Sequence, residues 1–247
     1  MLADKLDNME AISLEEMSGV KLMNRIDTKF VTTLPVLEKL LSQAADDFLV
    51  QEANGIRNAS YYTRYFDTRD VKMYYDHQRG KKSRRKVRIR KYVDTDLAPF
   101  LEIKDKNNKG RTKKKRVAMD PGTGLNDYSG FISSNCEFNS HSLSPRIENR
   151  FHRITLVNRE KTERITIDTG LHFHNFVSGN EVTLPRLVVI EWKRDGLSEK
   201  SRLKRLLRNL RIKESGFSKY IIGMALTDRE LPRHRISKRL RYIQKLI

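Results

Sequence analysis

Apolar and charged residues alternate one for one in several short stretches of this sequence. In R-R-K-V-R-I-R-K-Y, residues 84–92, every second residue is basic, and Val87 and Ile89 lie between the basic residues. Glu102 and Lys104 alternate with aliphatic residues in the same way. Because successive side chains of a β-strand point to opposite faces of the sheet, this alternation predicts strands with one apolar and one charged face.

The same pattern recurs along the chain and predicts further antiparallel strands. It is found in residues 25–31, 113–119, 146–156, 163–168 and 187–193. Aromatic residues suited to a pleated surface predict another strand at Tyr61 to Phe66. The apolar pair Val117 and Met119 shares the face of Lys113 and Lys115, so the two basic residues between them belong to the charged face.

Two later stretches extend the predicted charged face. In residues 146–156 the alternation groups Glu148, Arg150 and His152. In E-R-I-T-I-D, Arg164 and Asp168 share the face opposite the two isoleucines.

Helical spacing of apolar residues predicts helices at both ends of the chain and between strands. Pro35 occupies the first turn of one helix, the place in a helix that suits proline best. Asp67 and Thr68 are positioned to cap another. The predicted helical segments are 1–23 (two short helices), a helix from 35, and those at 69–77, 125–136, 198–210, from 215, and 232–247.

The combined pattern predicts an α+β fold: a closed antiparallel β-barrel of about eight strands with a charged interior and flanking helices. A solvated outer face would explain one charged strand, but the repetition over at least six segments favours a polar barrel interior. We expect an N-terminal helical segment at 1–23, a tunnel domain at 24–228 and a basic C-terminal helix at 229–247.

Composition narrows the class of partner. The 247 residues include 50 Lys plus Arg against 31 Asp plus Glu, a net charge of +19. This balance indicates an anionic partner, either nucleic acid, an anionic membrane surface or phosphate compounds. The single cysteine excludes a disulfide framework and a cysteine-based metal site. With no signal-peptide pattern and no aliphatic run near the ~20 residues of a membrane helix, we expect a cytoplasmic protein without a transmembrane segment.

Nine of these stretches resemble, in order, the motifs of the VTC domain, the polyphosphate polymerase domain of the vacuolar transporter chaperone complex. This domain belongs to the triphosphate tunnel metalloenzyme superfamily and also occurs in bacterial proteins. The resemblance covers roughly residues 20–225. The motifs are R-I-D-T-K-F-V, Y-Y-T-R-Y-F-D-T, K-V-R-I-R-K-Y, L-E-I-K, K-K-R-V, I-E-N-R-F, R-I-T-I-D-T, V-I-E-W-K and G-F-S-K-Y.

The resemblance implies a phosphotransferase that moves the γ-phosphate of ATP onto a growing polyphosphate chain inside a basic tunnel. It also implies a divalent metal, with Mn²⁺ preferred and Mg²⁺ as the alternative. The expected phosphate-binding and catalytic bases are Lys29, Arg88, Arg90, Lys104, Lys114, Arg116, Arg150, Arg164 and Lys219. Lys86 and Lys193 are further substrate-binding candidates.

Glu191 matches the family's metal-binding glutamate, and Glu102 is a second metal candidate. Glu102 has an equally simple alternative, an ion pair with Lys104 or a neighbouring arginine. Asp27 and Asp168 fit better as ion-pair partners of the tunnel bases than as metal ligands.

Two other functions stay open at the level of sequence. Related tunnel hydrolases carry E-x-E-x-K on the first strand, whereas this chain has R-I-D-T-K, but a hydrolase acting on inorganic or nucleoside triphosphates would share most of the bases. A non-catalytic polyanion-binding protein is the third interpretation. Specific nucleic-acid recognition is not expected, because aliphatic rather than aromatic residues interleave with the bases. A membrane-associated partner protein is a further expectation.

Overall fold

The structure, a computed structural model, describes residues 2–17, 25–108, 112–195 and 201–246. Its strands are β1 (Ala11–Ile12), β2 (Arg25–Thr33), β3 (Phe48–Gln51), β4 (Asn58–Thr68), β5 (Arg84–Tyr92), β6 (Phe100–Lys106), β7 (Thr112–Ala118), β8 (Leu143–Asn158), β9 (Glu163–Asn175), β10 (Glu181–Leu184) and β11 (Leu187–Asp195).

Short helices lie between and after the strands. They are α1 (Leu2–Asp7), α2 (Leu14–Met17), α3 (Leu34–Ala44), α4 (Lys72–Gln78), α5 (Ser129–Ser133), α6 (Arg202–Asn209), α7 (Lys219–Thr227) and α8 (Ser237–Leu246). Three 3₁₀ turns complete the described elements, at Leu125–Tyr128, Ser140–Ser142 and His234–Ile236.

One antiparallel sheet organises the chain, in the strand order β2-β11-β9-β8-β4-β5-β6-β7. β10 pairs with β9 and β3 with β8, both antiparallel, while β1 pairs in parallel with the other side of β3. The α+β class and the antiparallel sheet agree with the sequence-based prediction. The prediction of a closed barrel is not confirmed, because over the described ranges no ladder joins β2 to β7 and the sheet is open there.

The free edge of β2 is covered by the chain that leads into α7, which explains why β7 does not close on it. The Ser215 amide donates to the Lys29 carbonyl oxygen (2.8 Å), and Phe30 forms an isolated bridge with Glu214. The Tyr242 hydroxyl donates to the Val31 carbonyl oxygen (3.4 Å). Backbone groups on an edge strand need partners, and these contacts supply them without another strand.

Two large hydrophobic clusters pack against the sheet, and the second includes residues from both of its sides. On the outer side, Ile165, Ile167 and Trp192 belong to the core that α3 and α6 cover. On the inner side, Tyr220 and Met224 of α7 belong to the core that fills one end of the curled sheet. The charged side chains therefore share the inner face with a helix that occupies part of it.

Several element boundaries differ from the sequence prediction. β1, β3 and β10 were not predicted, because each is too short to show a period. The helix predicted at 69–77 begins at Lys72, because Val71 adopts a left-handed φ of 48°. The helix predicted at 125–136 is a 3₁₀ turn followed by α5. Predicted positions 18–23 and 198–200, and part of the turn after Asn107, lie outside the described residues.

Asp67 ties α4 to α7 as well as capping α4. Its carboxylate accepts hydrogen bonds from the Met73 and Tyr74 amides, both at 3.0 Å, and from the Tyr220 hydroxyl at 2.5 Å. Burial raises the pKa of Asp67, and these hydrogen bonds oppose that rise. Within the described part of the chain, no helix has the length and apolarity needed to cross a membrane.

The close approach of α7 to the inner face gives a direct test of this packing. A Cβ atom at Gly223 would lie 2.6 Å from Cδ1 of Phe173 and 2.7 Å from Cδ1 of Ile147. We expect Gly223→Ala to lower the free energy of unfolding by about 1–3 kcal/mol through overpacking. Urea unfolding measures the change.

Gly130→Ala is the matched control, because a Cβ atom there would meet no atom within 4 Å. It should leave stability unchanged or raise it slightly, since alanine favours the helix. A Gly223→Ala variant as stable as the unaltered chain would contradict this arrangement of α7.

Candidate functional site

Charged side chains from β2, β11 and β9 meet on the inner face through their strand register. Glu191 of β11 lies opposite Lys29 of β2 and Thr166 of β9. Lys193 lies opposite Arg164 on β9, two positions along the same face. Side chains directly opposite each other in neighbouring strands are close enough to interact, so the strands themselves assemble this part of the site.

Strands β5, β6 and β7 supply the second charged wall. Arg88 lies opposite Glu102, and Lys86 lies opposite Lys104. On the other side of β6, Glu102 and Lys104 lie opposite Arg116 and Lys114. The predicted assignment of Lys114, rather than Lys113, to this face agrees with the register.

The two walls face each other across the curled sheet. The positive charge of Lys29 on β2 contributes to lowering the pKa of both Lys86 on β5 and Lys104 on β6. The Glu191 carboxylate acts on both lysines in the opposite direction. We refer to the assembled set as the charged face. Its members are Lys29, Lys86, Arg88, Arg90, Glu102, Lys104, Lys114, Arg116, Arg153, Arg164, Asp168, Glu191, Lys193 and Lys219.

Asp168 holds two cations at the centre of the charged face. The Arg153 guanidinium donates to both of its carboxylate oxygens, at 2.6 and 2.8 Å, and Lys219 donates to Oδ2. Burial alone would raise the pKa of Asp168, but the charges of Arg153 and Lys219 outweigh it and hold that pKa below its usual range. Asp168 is therefore an ionised partner of these bases, as its sequence context suggested.

Glu102 pairs with cations of the β5–β7 wall, as Asp168 pairs with Arg153 and Lys219. Its Oε2 accepts from Nε of Arg88 at 2.7 Å, and Nζ of Lys114 lies 3.3 Å from its Oε1. Burial would raise the pKa of Glu102, but Arg88 and the neighbouring cations lower it to about 2. The side chain is only 2% exposed. Because Glu102 is almost fully buried within these ion pairs, it acts as a counter-ion of the wall and is less accessible to a metal than a more exposed carboxylate.

Glu191 is more accessible, at 21% side-chain exposure. Nζ of Lys193 donates to its Oε2 at 2.6 Å, and Nζ of Lys29 lies 3.2 Å from its Oε1. Despite burial, these two lysines hold the pKa of Glu191 well below its usual range. The carboxylate is ionised and open to the space between the two walls.

Three lysines of the charged face have pKa values lowered to about 6 or 7. Arg88, followed by burial, lowers the pKa of Lys104 to about 6. Burial, with Lys29 as the next cause, lowers that of Lys86 to about 7. Burial also lowers the pKa of Lys219 to about 7, although Asp168 opposes the change. An anion placed among these lysines would restore their protons.

All but one of the residues predicted for the site lie together on the charged face. Arg150 lies on the outer surface, 69% exposed, where its guanidinium is 3.6 Å from the Glu148 carboxylate and stacks near Tyr62. The predicted grouping of Glu148, Arg150 and His152 is thus present in the strand but faces away from the charged face. The reason is that Phe151 and its odd-numbered neighbours occupy the inner side, where the apolar residues of α7 cover part of them.

Arg153 takes the place that the sequence analysis gave to Arg150. It is 16% exposed and stacks over Phe151, with its guanidinium carbon 5.3 Å from the ring centroid. The sequence does contain the signal, because Ile154 and Leu156 are apolar and belong to the outer core. Their parity assigns Arg153 to the charged face.

The charged face offers a divalent cation few protein ligands. Among the described residues, no three His, Cys, Asp or Glu side chains group together as a metal site. On the charged face, Glu191 offers an ionised carboxylate that is partly accessible. This fits a hard cation that takes most of its ligands from phosphate oxygens and water, and does not fit a site built wholly by protein.

The sequence of this chain matches a known protein family over most of its length. The family model of the VTC domain matches residues 24–227. The chain belongs to the VTC domain family. All members of the charged face, including Arg153, lie within the residues that match the VTC domain. Among curated proteins, no sequence match was found.

Solved structures give further likenesses to this VTC domain protein. A candidate adenylate cyclase from Vibrio parahaemolyticus aligns at 14% identity and a TM-score of 0.47, covering 82% of this chain and 99% of that chain. One from Bacillus halodurans aligns at 15% identity and 0.48, covering 79% and 96%. An RNA triphosphatase from S. pombe aligns at 10% identity and 0.31, covering 94% and 88%.

Arg90 and Arg150 form a matched pair that tests which face binds phosphate. Arg90 is buried on the charged face and donates to Thr63 Oγ1 at 3.2 Å. We expect Arg90→Met to weaken tripolyphosphate binding about tenfold, the size of one lost charged contact, in isothermal titration calorimetry. Arg150→Met should leave the affinity unchanged. Equal losses in both variants would contradict the assignment of the inner face.

The lowered lysine pKa values predict proton uptake on binding. Because a phosphate chain stabilises the protonated amines, their pKa values rise in the complex, and the affinity for tripolyphosphate should fall as pH rises from 6 to 9. Calorimetry at pH 8 in buffers of different ionisation enthalpy should show protons taken up.

Lys104→Arg is the control for proton uptake, because arginine keeps its charge across this pH range. It should bind with fewer protons taken up than the unaltered chain near pH 7. Binding without any proton uptake at pH 8 would show that these lysines are already charged in the free protein.

Proposed function

We propose that this protein is a metal-dependent polyphosphate polymerase that transfers the γ-phosphate of ATP to a growing polyphosphate chain. The observation that carries the proposal is the charged face, on which two walls of buried arginines and lysines face each other with too few carboxylates to neutralise them. Membership of the VTC domain family supports the same substrate class. A cytoplasmic location, where ATP is available, is part of this proposal.

Phosphoryl transfer suits this arrangement because it needs little covalent help from a protein. It needs positioned charge that neutralises the phosphate oxygens and aligns donor with acceptor. Arg88 and Arg153 are held rigidly by Glu102 and Asp168, so their guanidinium groups are pre-organised for phosphate. Lys104, whose pKa is about 6, gains a proton as phosphate arrives and so adds charge only in the complex.

A divalent cation, with Mn²⁺ preferred, would supply neutralisation of charge at the transferring phosphate when bound. Glu191 would hold it. Lys29 and Lys193, which contact Glu191 in the free protein, can then turn to phosphate oxygens. Because the two lysines already keep Glu191 ionised, the carboxylate needs no deprotonation before it binds a cation.

The residues that β2 places on the charged face favour transfer to phosphate rather than to water. Lys29 faces Glu191, and the next position on that face, Asp27, lies opposite Lys193. This part of the site therefore has carboxylates balanced by lysines. It lacks the pair of neighbouring glutamates with which the related hydrolases hold two cations.

The proposal is tested by following both products of ATP. The purified protein is incubated with ATP and Mn²⁺, with and without a short polyphosphate primer. Chains are resolved on a gel, and ADP and free phosphate are assayed in parallel. We expect polyphosphate chains with ADP formed in step. Free phosphate without chains would show a triphosphate hydrolase instead, and tight triphosphate binding with neither product would show a polyanion-binding protein.

Glu191→Gln tests the metal assignment within the same assay. The amide keeps the size of the side chain but loses its charge, so Mn²⁺-dependent turnover should fall at least about 100-fold, as for loss of a key electrostatic group. Glu148→Gln is the matched control, because the Glu148 carboxylate is also partly buried among cations but lies on the opposite side of the sheet, beside Arg64 and Arg150. Full activity in Glu191→Gln would show that Glu191 does not bind the metal.

A further inference from the structure

Three arginines lie together beside the charged face, at the end of the sheet that α8 covers. Arg84 is the first residue of β5, Arg235 lies in the 3₁₀ turn His234–Ile236, and Arg239 lies in α8. Burial, and then the charges of Arg235 and Arg239, lower the pKa of Arg84. Both guanidinium groups therefore act on Arg84, and Arg235 packs against Gly80, four residues before Arg84 in the chain.

Two glycines make room for this cluster. A Cβ atom at Gly80 would lie 2.6 Å from Nη1 of Arg235, and one at Gly216 would lie 3.1 Å from Nη2 of Arg239. Each guanidinium thus packs directly on backbone. This packing on glycine distinguishes Arg235 and Arg239 from Lys238 and Arg241 of α8, which contact none of the described glycines in this way.

No carboxylate balances the cluster within the described ranges. Ion pairs are present elsewhere at this end of the molecule, for example between Lys81 and Asp76, but none involves Arg84, Arg235 or Arg239. The neighbouring His77 has a buried Nδ1 without a hydrogen-bond partner among the described residues. Crowded cations without counter-ions are costly unless an anion joins them.

The cluster continues a row of cations that begins on the charged face. Arg84 shares its side of β5 with Lys86, Arg88 and Arg90, at the roughly 7 Å spacing of alternate residues in a strand. Nζ of Lys86 donates to Ser218 Oγ at 2.9 Å, so the row passes beside the N-terminus of α7. A chain of phosphates on the charged face could continue along this row.

We propose that Arg84, Arg235 and Arg239 form an additional phosphate subsite that holds the part of a polyphosphate chain lying beyond the charged face. The identity of the ligand rests on the proposed function. The family match ends at residue 227, so Arg235 and Arg239 are supplied by a C-terminal segment outside the matched domain. This segment extends the binding track for long chains.

The test compares phosphate chains of different length. Binding of long-chain polyphosphate, tripolyphosphate and orthophosphate is measured by calorimetry at fixed ionic strength, without ATP. Arg235→Ala/Arg239→Ala should weaken long-chain binding about tenfold and leave tripolyphosphate binding unchanged. If the variant weakens all three ligands equally, or weakens none, the subsite for long chains is refuted. A loss confined to orthophosphate would instead show a site for free phosphate.

A second double variant separates specific contacts from net charge. Lys238→Ala/Arg241→Ala removes two positive charges from α8, as many as the test variant loses, and should bind long chains normally. Equal loss in this control would overturn the proposal, because it would show general attraction between a basic helix and a polyanion. Arg235→Lys/Arg239→Lys, which keeps both charges, should restore much of the affinity, whereas a variant that is merely misfolded would lose tripolyphosphate binding as well.

The binding readout keeps this inference apart from the proposed function. If no polyphosphate is synthesised but long chains still bind through Arg235 and Arg239, the polymerase proposal fails and the subsite stands. If polyphosphate is synthesised and the double alanine variant binds long chains normally, the subsite fails and the polymerase stands.

Discussion

Mutual repulsion among the cations of the inner face is the constraint on which the rest of the structure depends. Two unit charges about 7 Å apart repel by about 2 kcal/mol at an effective dielectric constant of about 20. Glu102, Asp168 and Glu191 offset part of this repulsion through close ion pairs. At Lys104, where Arg88 and burial outweigh the opposing effect of Glu191, the cost is lowered in another way, because the lysine loses its proton more readily.

The fold supports this crowding by burying apolar surface on both sides of the sheet. α3 and α6 cover the outer face, where Ile165 and Ile167 alternate with Arg164 and Asp168 of the same strand. α7 fills one end of the inner side and brings Lys219 to Asp168 at its own first residue. Hydrophobic burial at these helices thus stabilises a face that electrostatics alone would destabilise.

Period-two alternation allowed much of this arrangement to be predicted from the sequence. The strands that carry Arg88, Glu102, Lys114 and Glu191 have regular apolar partners, so their faces follow from parity alone. β8 was harder, because its inner side is apolar near Phe151, where α7 packs, and polar at Arg153. The parity of Ile154 and Leu156 indicates Arg153, whereas the family resemblance indicated Arg150, and a local pattern cannot show that α7 covers the strand near Phe151.

Closure of the sheet also could not be read from the sequence. It depends on what occupies the free edge of β2, and the Ser215 amide and the Tyr242 hydroxyl that do so come from far along the chain. Strand periodicity carries no information about such long-range edge contacts. The same limit applies to the cluster around Arg235 and Arg239, whose positions depend on packing against Gly80 and Gly216.

The most direct test of the central claim is the thermal unfolding midpoint with and without tripolyphosphate at constant ionic strength. If the charged face is built for a phosphate chain, saturating ligand should stabilise the folded state by about 2.7 kcal/mol at 100 times the Kd, and the midpoint should rise with ligand concentration. If sodium chloride at the same ionic strength raises the midpoint as much, the inner face is a screened cationic surface and the account is contradicted.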